Sequence, residues 1–177
     1  TTTGLAPYDT TVLRQELQLF EDWFLQAYLK LTLTSAEQTM LHTCFTSLIE
    51  QAVQQPQVLV HRDFHARNLL VCATHSPGII DFQDAVLGPV TYDLVSLWRD
   101  SYIAWPAARV DAWLADYTEQ AIAQGILTLA QGAQIPRWFD WMGVQRQLKI
   151  AGIFARLHLR DGKSTYLADI PQTLAYI

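Results

Sequence analysis

The stretch from Val58 to Asp84 constrains the fold most, because helical periodicity stops there and short β-branched runs take over. Val58-Leu-Val60, Leu69-Leu-Val71 and Ile79-Ile80 are each followed by side chains able to hold a proton or a metal ion. The pattern reads as strand (about 58–61), polar loop, strand (about 69–72), turn (Thr74-His-Ser-Pro-Gly78), strand (about 78–81) and a second polar loop. Strands this short cannot make a domain alone, so the chain must pack helices around a minor sheet. The expected class is α+β, mostly α: a helical bundle carrying a small β-hairpin.

The flanks supply those helices. Asp9 or Thr10 is placed to cap a helix over about 11–30, with Leu13, Leu17, Phe20, Phe24, Ala27 and Tyr28 on one face and Trp23 widening the stripe. Ser35 and Gln38 match a capping box for a second helix running to about Gln54, where Pro56 ends it. Residues 85–90 read as a loop, and Thr91 as the cap of a helix to about Tyr102, broken at Trp105-Pro106. A helix over 107–123 ends near Gly125, and residues 127–134 form a shorter helix or turn. Pro136 opens a long apolar helix to about Leu159, closed at Asp161-Gly162. The tail 164–177 carries a short helical piece. The division is residues 1–8 as a linker, 9–55 as first helices, 58–84 as the hairpin and 91–177 as a helical subdomain, all within one domain.

Three residues of the central stretch point to phosphoryl transfer, which needs an oriented hydroxyl and neutralised phosphate charge but little covalent work from the protein. Asp63 follows a strand and can accept a proton; Asn68 offers a neutral amide oxygen suited to Mg²⁺; Asp81 ends a strand with a charged oxygen. Taken singly, each has an ordinary use in a turn or a cap. It is the three together, in strand–loop–strand context, that carry the chemistry.

Composition narrows the alternatives. The 177 residues are half apolar and 16% charged, which suits a packed core rather than disorder. A net charge of −5 leaves no surplus of cations to displace phosphate counterions, so no nucleic-acid partner is expected. No apolar run nears the ~18 residues that would span a bilayer, so no membrane partner is expected. Cys44 and Cys72 follow no metal or redox spacing, and the N-terminus lacks a secretory pattern; a reduced, cytoplasmic chain is the expectation.

The segment His61-Arg-Asp-Phe-His-Ala-Arg-Asn68 matches the H-R-D-x-x-x-x-N pattern of kinase catalytic loops, and Asp81-Phe82 stands where D-F-G would be, with Gln83 in place of the glycine. The fuller pattern, H-x-D-x-H-x-x-N followed by IIDFQDAVLGPVTYDL, resembles the aminoglycoside phosphotransferase (kinase-like) family. Within it the chain is similar, along nearly its whole length, to bacterial kinases acting on the anomeric hydroxyl of N-acetylmuramate and N-acetylglucosamine in cell-wall recycling. The resemblance implies an ATP- and Mg²⁺-dependent small-molecule kinase with Asp63 as catalytic base and Asn68 and Asp81 as metal ligands. Leu70 and Ile80 would floor the adenine pocket, and His65 would lie near the transferred phosphate or the acceptor. Asp93 would hold the catalytic-loop backbone as a structural residue, or serve as a helix N-terminal charge. An aminoglycoside or a choline- or homoserine-type acceptor is the alternative substrate, and a non-catalytic binding lobe the alternative role.

Other residues keep two readings. Arg67 could meet a phosphate or sugar carboxylate, or pair with Asp84 or Asp63. Asp84 could bind sugar hydroxyls or be a solvated loop charge. Trp98, Tyr102, Trp105, Trp138 and Trp141 could stack a pyranose or fill the core. Arg99-Asp100 could be a surface ion pair or rim the acceptor site. No G-x-G-x-x-G loop occurs, and the lysines (Lys30, Lys149, Lys163) all lie in helical regions. The expectation is therefore a protein-kinase-like C-terminal lobe with its N-terminal lobe missing, residues 1–8 being the remnant of the hinge. Such a piece of a longer protein is expected to be nearly inactive alone.

Overall fold

In the computed structural model, residues 4–177 are described, and most of them are helical. Residues 1–3 of the expected linker lie outside the described part. The remainder is not featureless, because β1 (Ala6–Pro7) pairs in parallel with β5 (Val86–Pro89), the segment expected to be a loop. β2 (Gln57–Val60) runs antiparallel on the other side of β5, from Gln57 opposite Pro89 to Val60 opposite Val86. The sheet order is thus β1–β5–β2. Gly88-Pro89 hid this strand, since both residues weaken a strand signal.

The remaining strands, β3 (Leu69–Leu70) and β4 (Gly78–Ile79), form a separate hairpin with Leu69 opposite Ile79. The expected single cluster of strands is therefore two sheets. The loop between β2 and β3 bridges them.

Asp9 caps α1 (Thr10–Leu19), its carboxylate accepting from the Thr11 and Val12 amides at 2.9 and 3.0 Å. The expected continuous helix to Lys30 instead widens into a π-helical segment, Phe20–Tyr28. At this point the segment crosses α6 (Ile135–Asp161). A methyl group at Gly152 would sit 2.4 Å from the Leu19 carbonyl and 2.6 Å from the Phe20 nitrogen. The two helices cross backbone to backbone where the first one changes its winding, an arrangement only glycine permits.

The next helix, α2 (Ser35–Val53), starts one residue earlier in register than expected. Thr34 is the cap, and Glu37, not Gln38, closes the box by accepting from the Thr34 amide at 2.8 Å. Two capping side chains stand in succession here; the charged acceptor makes the stronger bond and sets the register.

α3 (Tyr92–Trp98) is shorter than expected, and Thr91 at its N-cap position makes no capping bond. The Thr91 hydroxyl instead donates to Gln55 Oε1 at 2.7 Å, fastening the end of β5 to the end of α2. α4 (Ala107–Ala123), the short α5 (Leu129–Gly132) and the long α6 follow the sequence pattern closely, with Gly162 ending α6 in the left-handed conformation. A 3₁₀ turn (Ser164–Asp169) and α7 (Ile170–Leu174) complete the chain. Among the described residues no helix is long and apolar enough to cross a membrane.

α6 organises the interior. Its residues 135–142 join Leu13, Leu17, Phe45, Val60, Tyr92 and Val95 in one core, and residues 150–155 join Phe24 and Ile170 in a second. Between them, Gln145, Arg146 and Gln147 are buried polar residues, with Lys149 one turn further on. This polar band sits behind the loop between the two sheets.

Candidate active site

The loop begins where β2 delivers His61 into the interior. The His61 and Arg62 amides donate to the two carboxylate oxygens of Asp93, at 2.7 and 3.1 Å. Asp93 lies in the first turn of α3, so the start of the loop is fixed to a helix N-terminus. Burial pushes the Asp93 carboxyl above its ordinary range, and the two amide bonds act against that push. His61 Nε2 lies 3.0 Å from the Ile80 carbonyl, linking the loop to the far strand of the hairpin.

From Asp63 onward the loop folds on itself. The Asp63 carbonyl accepts from the His65 amide and from Asn68 Nδ2, both at 3.0 Å. The same Asn68 nitrogen donates to Asp81 Oδ2 at 3.2 Å, and the Asn68 carbonyl accepts from the Ile80 amide at 3.2 Å. Asp63, Asn68 and Asp81 are thus brought to one edge of the hairpin. Asp81 is exposed and has a positive φ of 69°. Hydrogen bonds from Gln83 and then Asn68 hold its carboxyl below the usual range, so it stands as an anion facing solvent.

This donor set can be tested against a divalent cation. Among the described residues no group of three or more His, Cys, Asp or Glu converges, so nothing resembles a closed zinc or calcium cage. An amide and a carboxylate side by side at an exposed edge suit Mg²⁺, which keeps its waters and takes its other ligands from phosphate. The residue types present fit that ion, with the Asn68 amide, which here turns its Nδ2 toward Asp81, having to rotate for its oxygen to serve as a ligand.

The rest of the loop is held by a residue the sequence reading misassigned. Asp100 is no surface partner of Arg99: it is 1% exposed, and its carboxylate accepts from the Ala66 amide at 3.1 Å and the Tyr102 amide at 3.0 Å. Arg99 turns away, pairs with Asp140 and lies over the Phe139 ring. The apolar context of residues 94–105 was the available signal that an acid there would be buried. Tyr102 meets the loop directly. His65 approaches its ring edge-on at 5.6 Å, and the Arg67 guanidinium stacks over it at 3.5 Å. Arg67 therefore does not pair with Asp63 or Asp84, the alternative its charge suggested. Asp84 is exposed in the loop before β5.

The tryptophans with two readings, stacking a pyranose or filling the core, pack into or against the core. Trp138 is buried, and Trp98, Trp105 and Trp141 pack against the main core, with Trp98 lying against Trp113, Tyr117 and Phe139. Burial lowers the readiness of His65 to take a proton, against the pull of Asp100. On the hairpin, Leu70 and Ile80 are 46% and 43% exposed, with Val71 and Phe82 more so. Concavities of about 680 and 410 Å³ lie elsewhere, the first between α4 and α5, the second between α2 and α6, and no residue of the loop lines either.

A further set of charges was not legible as a set. Arg62 Nη2 donates to Glu16 of α1 at 2.7 Å, and Lys149 Nζ of α6 lies 2.9 Å from the same carboxylate. Burial pushes Glu16 up, but Lys149, Tyr8 and Arg62 hold it below the ordinary range. The sequence signal was a carboxylate at Glu16 beside Leu13 and Leu17 on an apolar face, with a lysine inside the apolar run of α6.

The chain is 49% identical over 173 residues to N-acetylmuramate/N-acetylglucosamine kinase of Pseudomonas putida, a match covering 98% of this chain and 51% of that protein. It is 43% and 44% identical to proteins of the same name from Neisseria meningitidis and Pseudomonas aeruginosa, each match covering 98% of this chain and 52% of the relative. The chain thus spans about half the length of the curated relatives it matches. Residues 3–142, which include the whole loop and hairpin, match the model of the phosphotransferase enzyme family (APH), and the chain belongs to that family.

Proposed function

We propose that this chain is the catalytic C-terminal lobe of a kinase that moves the γ-phosphoryl group of ATP to the anomeric hydroxyl of N-acetylmuramate or N-acetylglucosamine, within cytoplasmic cell-wall recycling. The observation that carries the reading is Asn68 Nδ2 bridging the Asp63 main-chain carbonyl and the Asp81 carboxylate, which ties the backbone of the proposed base to the two proposed metal ligands. The names of the relatives support the choice of acceptor.

In this reading Asp63 orients the sugar hydroxyl and takes its proton as the oxygen attacks phosphorus. The new O–P bond forms while the bond to the β-phosphate oxygen breaks, and ADP leaves. Asn68 and Asp81 would hold Mg²⁺, which when bound neutralises phosphate charge. Leu70 and Ile80 form an apolar floor for adenine. His65 and Arg67 face the acceptor side, Arg67 being the group suited to the carboxylate that distinguishes N-acetylmuramate from N-acetylglucosamine. Asp84 reaches sugar hydroxyls from the loop before β5. Asp93 is structural.

The missing half of the site, the part that grips the phosphates, belongs to an N-terminal lobe of the same protein. Exposure of Leu70, Val71, Ile80 and Phe82 around the hairpin supports a covering element there. ADP release by the full-length protein, measured over a panel of N-acetylmuramate, N-acetylglucosamine, aminoglycosides, choline and homoserine, tests the assignment. Turnover with the two amino sugars is expected. Turnover confined to a cationic acceptor would contradict the choice of substrate.

A further inference from the structure

Arg62 sits directly before Asp63 with a φ of 75°, a left-handed conformation that a non-glycine residue adopts only when its surroundings impose it. Its backbone is held by Asp93, as described. Its side chain is held separately, by Glu16 at 2.7 Å. Glu16 is itself fixed from three further directions: the Tyr8 hydroxyl donates to it, Lys149 lies 2.9 Å away, and Gln145 Nε2 approaches at 3.5 Å. Lys149 also donates to the Tyr92 hydroxyl at 2.8 Å, and Tyr92 directly precedes Asp93. One buried carboxylate thus ties β1's end, α1, α3 and α6 to the residue before the proposed base.

We propose that Glu16 is a positioning residue for phosphoryl transfer, acting through Arg62 to fix the backbone that presents Asp63. Two cations sharing one buried carboxylate give little net stability compared with apolar side chains of the same size. Such a cluster is better explained by what it orients, and a misplacement of ~1 Å at a reacting group can cost ~10²-fold in rate. Lys149 offsets the charge, and it leaves the Glu16–Arg62 bond in place when removed.

The inference rests on Asp63 being the base, and the test separates the two. In the full-length protein, Lys149→Met serves as the reference, since Glu16 still holds Arg62. Arg62→Met leaves Glu16 and Lys149 paired, and Glu16→Gln/Lys149→Met keeps the cluster's net charge while removing the ionic anchor. Both are expected to lower kcat about 10²-fold relative to Lys149→Met, with KM for sugar and ATP within about twofold. Hydrogen exchange at the His61 and Arg62 amides is expected to quicken in the Glu16→Gln/Lys149→Met variant. Either variant, folded and retaining the reference kcat, would overturn the positioning role. Unchanged exchange at those amides would overturn it even if the protein proved to transfer no phosphate, in which case the functional reading fails on its own account.

Discussion

Asn68 and Asp81 are joined by a 3.2 Å hydrogen bond although a strand, a turn and a second strand separate them. Pairing of Leu69 with Ile79 sets this distance, so the hairpin is the device that assembles the proposed metal site. Asp81→Asn keeps a partner for Asn68 and removes only charge. It is expected to leave the fold intact, to raise the Mg²⁺ concentration giving half-maximal rate, and to lower kcat about 10²-fold or more. A magnesium titration of turnover in the full-length protein checks this.

The Arg67 guanidinium lies over the face of Tyr102, and in the proposed function it is the group that reads the acceptor's charge. Arg67→Met is expected to lower kcat/KM for N-acetylmuramate about tenfold or more while changing that for N-acetylglucosamine about twofold at most, a difference near 1.4 kcal/mol. Competition between the two sugars measures it. Equal losses on both would assign Arg67 to phosphate instead.

The buried Glu16 cluster gives a pH signature. A carboxyl held below its usual range adds stability that is fully present above the unfolded value, about 4.3, and is lost as pH falls through the lower folded value. The groups facing Glu16 are Tyr8, Arg62, Lys149 and the uncharged Gln145; the first three are held above their ordinary, already high, values, so none changes charge in that acid window. Thermal melts below about pH 4.3 should therefore show a steeper loss for the wild type than for Glu16→Gln/Lys149→Met. Glu16→Gln alone, which leaves the enclosed Lys149 and the half-buried Arg62 without an anion, is expected to cost about 3–5 kcal/mol at neutral pH.

Gly152 marks the closest helix crossing. Gly152→Ala forces the Leu19–Phe20 backbone to move and is expected to destabilise by about 1–3 kcal/mol or more. Chemical denaturation of the isolated chain reads this directly. No change would mean that the crossing tolerates a methyl group.

Much of this was legible beforehand, and the misses share a physical origin. Helices with strong caps or strong periodicity, such as the one over 107–123 and the one closed by Gly162, stand where the pattern puts them. The widening after Leu19 coincides with a backbone crossing at a glycine more than a hundred residues away, which no local pattern records. β5 was read as a loop because its strand character comes from pairing on both sides, not from its own Gly88-Pro89. Asp63, Asn68 and Asp81 could be grouped from sequence because their spacing is local, and the hairpin brings them together. Asp100 and Glu16 were not recognised as loop anchors, because a carboxylate's role in the interior depends on what folds onto it, and here the partners are Ala66, Arg62 and Lys149.

The central claim is that Asp63 is the base of a sugar kinase, and the direct test is Asp63→Asn in the full-length protein with N-acetylmuramate and ATP. The account predicts a fall in kcat of about 10²–10⁴-fold, with melting temperature and KM for ATP nearly unchanged. Asp63→Asn turning over at the wild-type rate would contradict it.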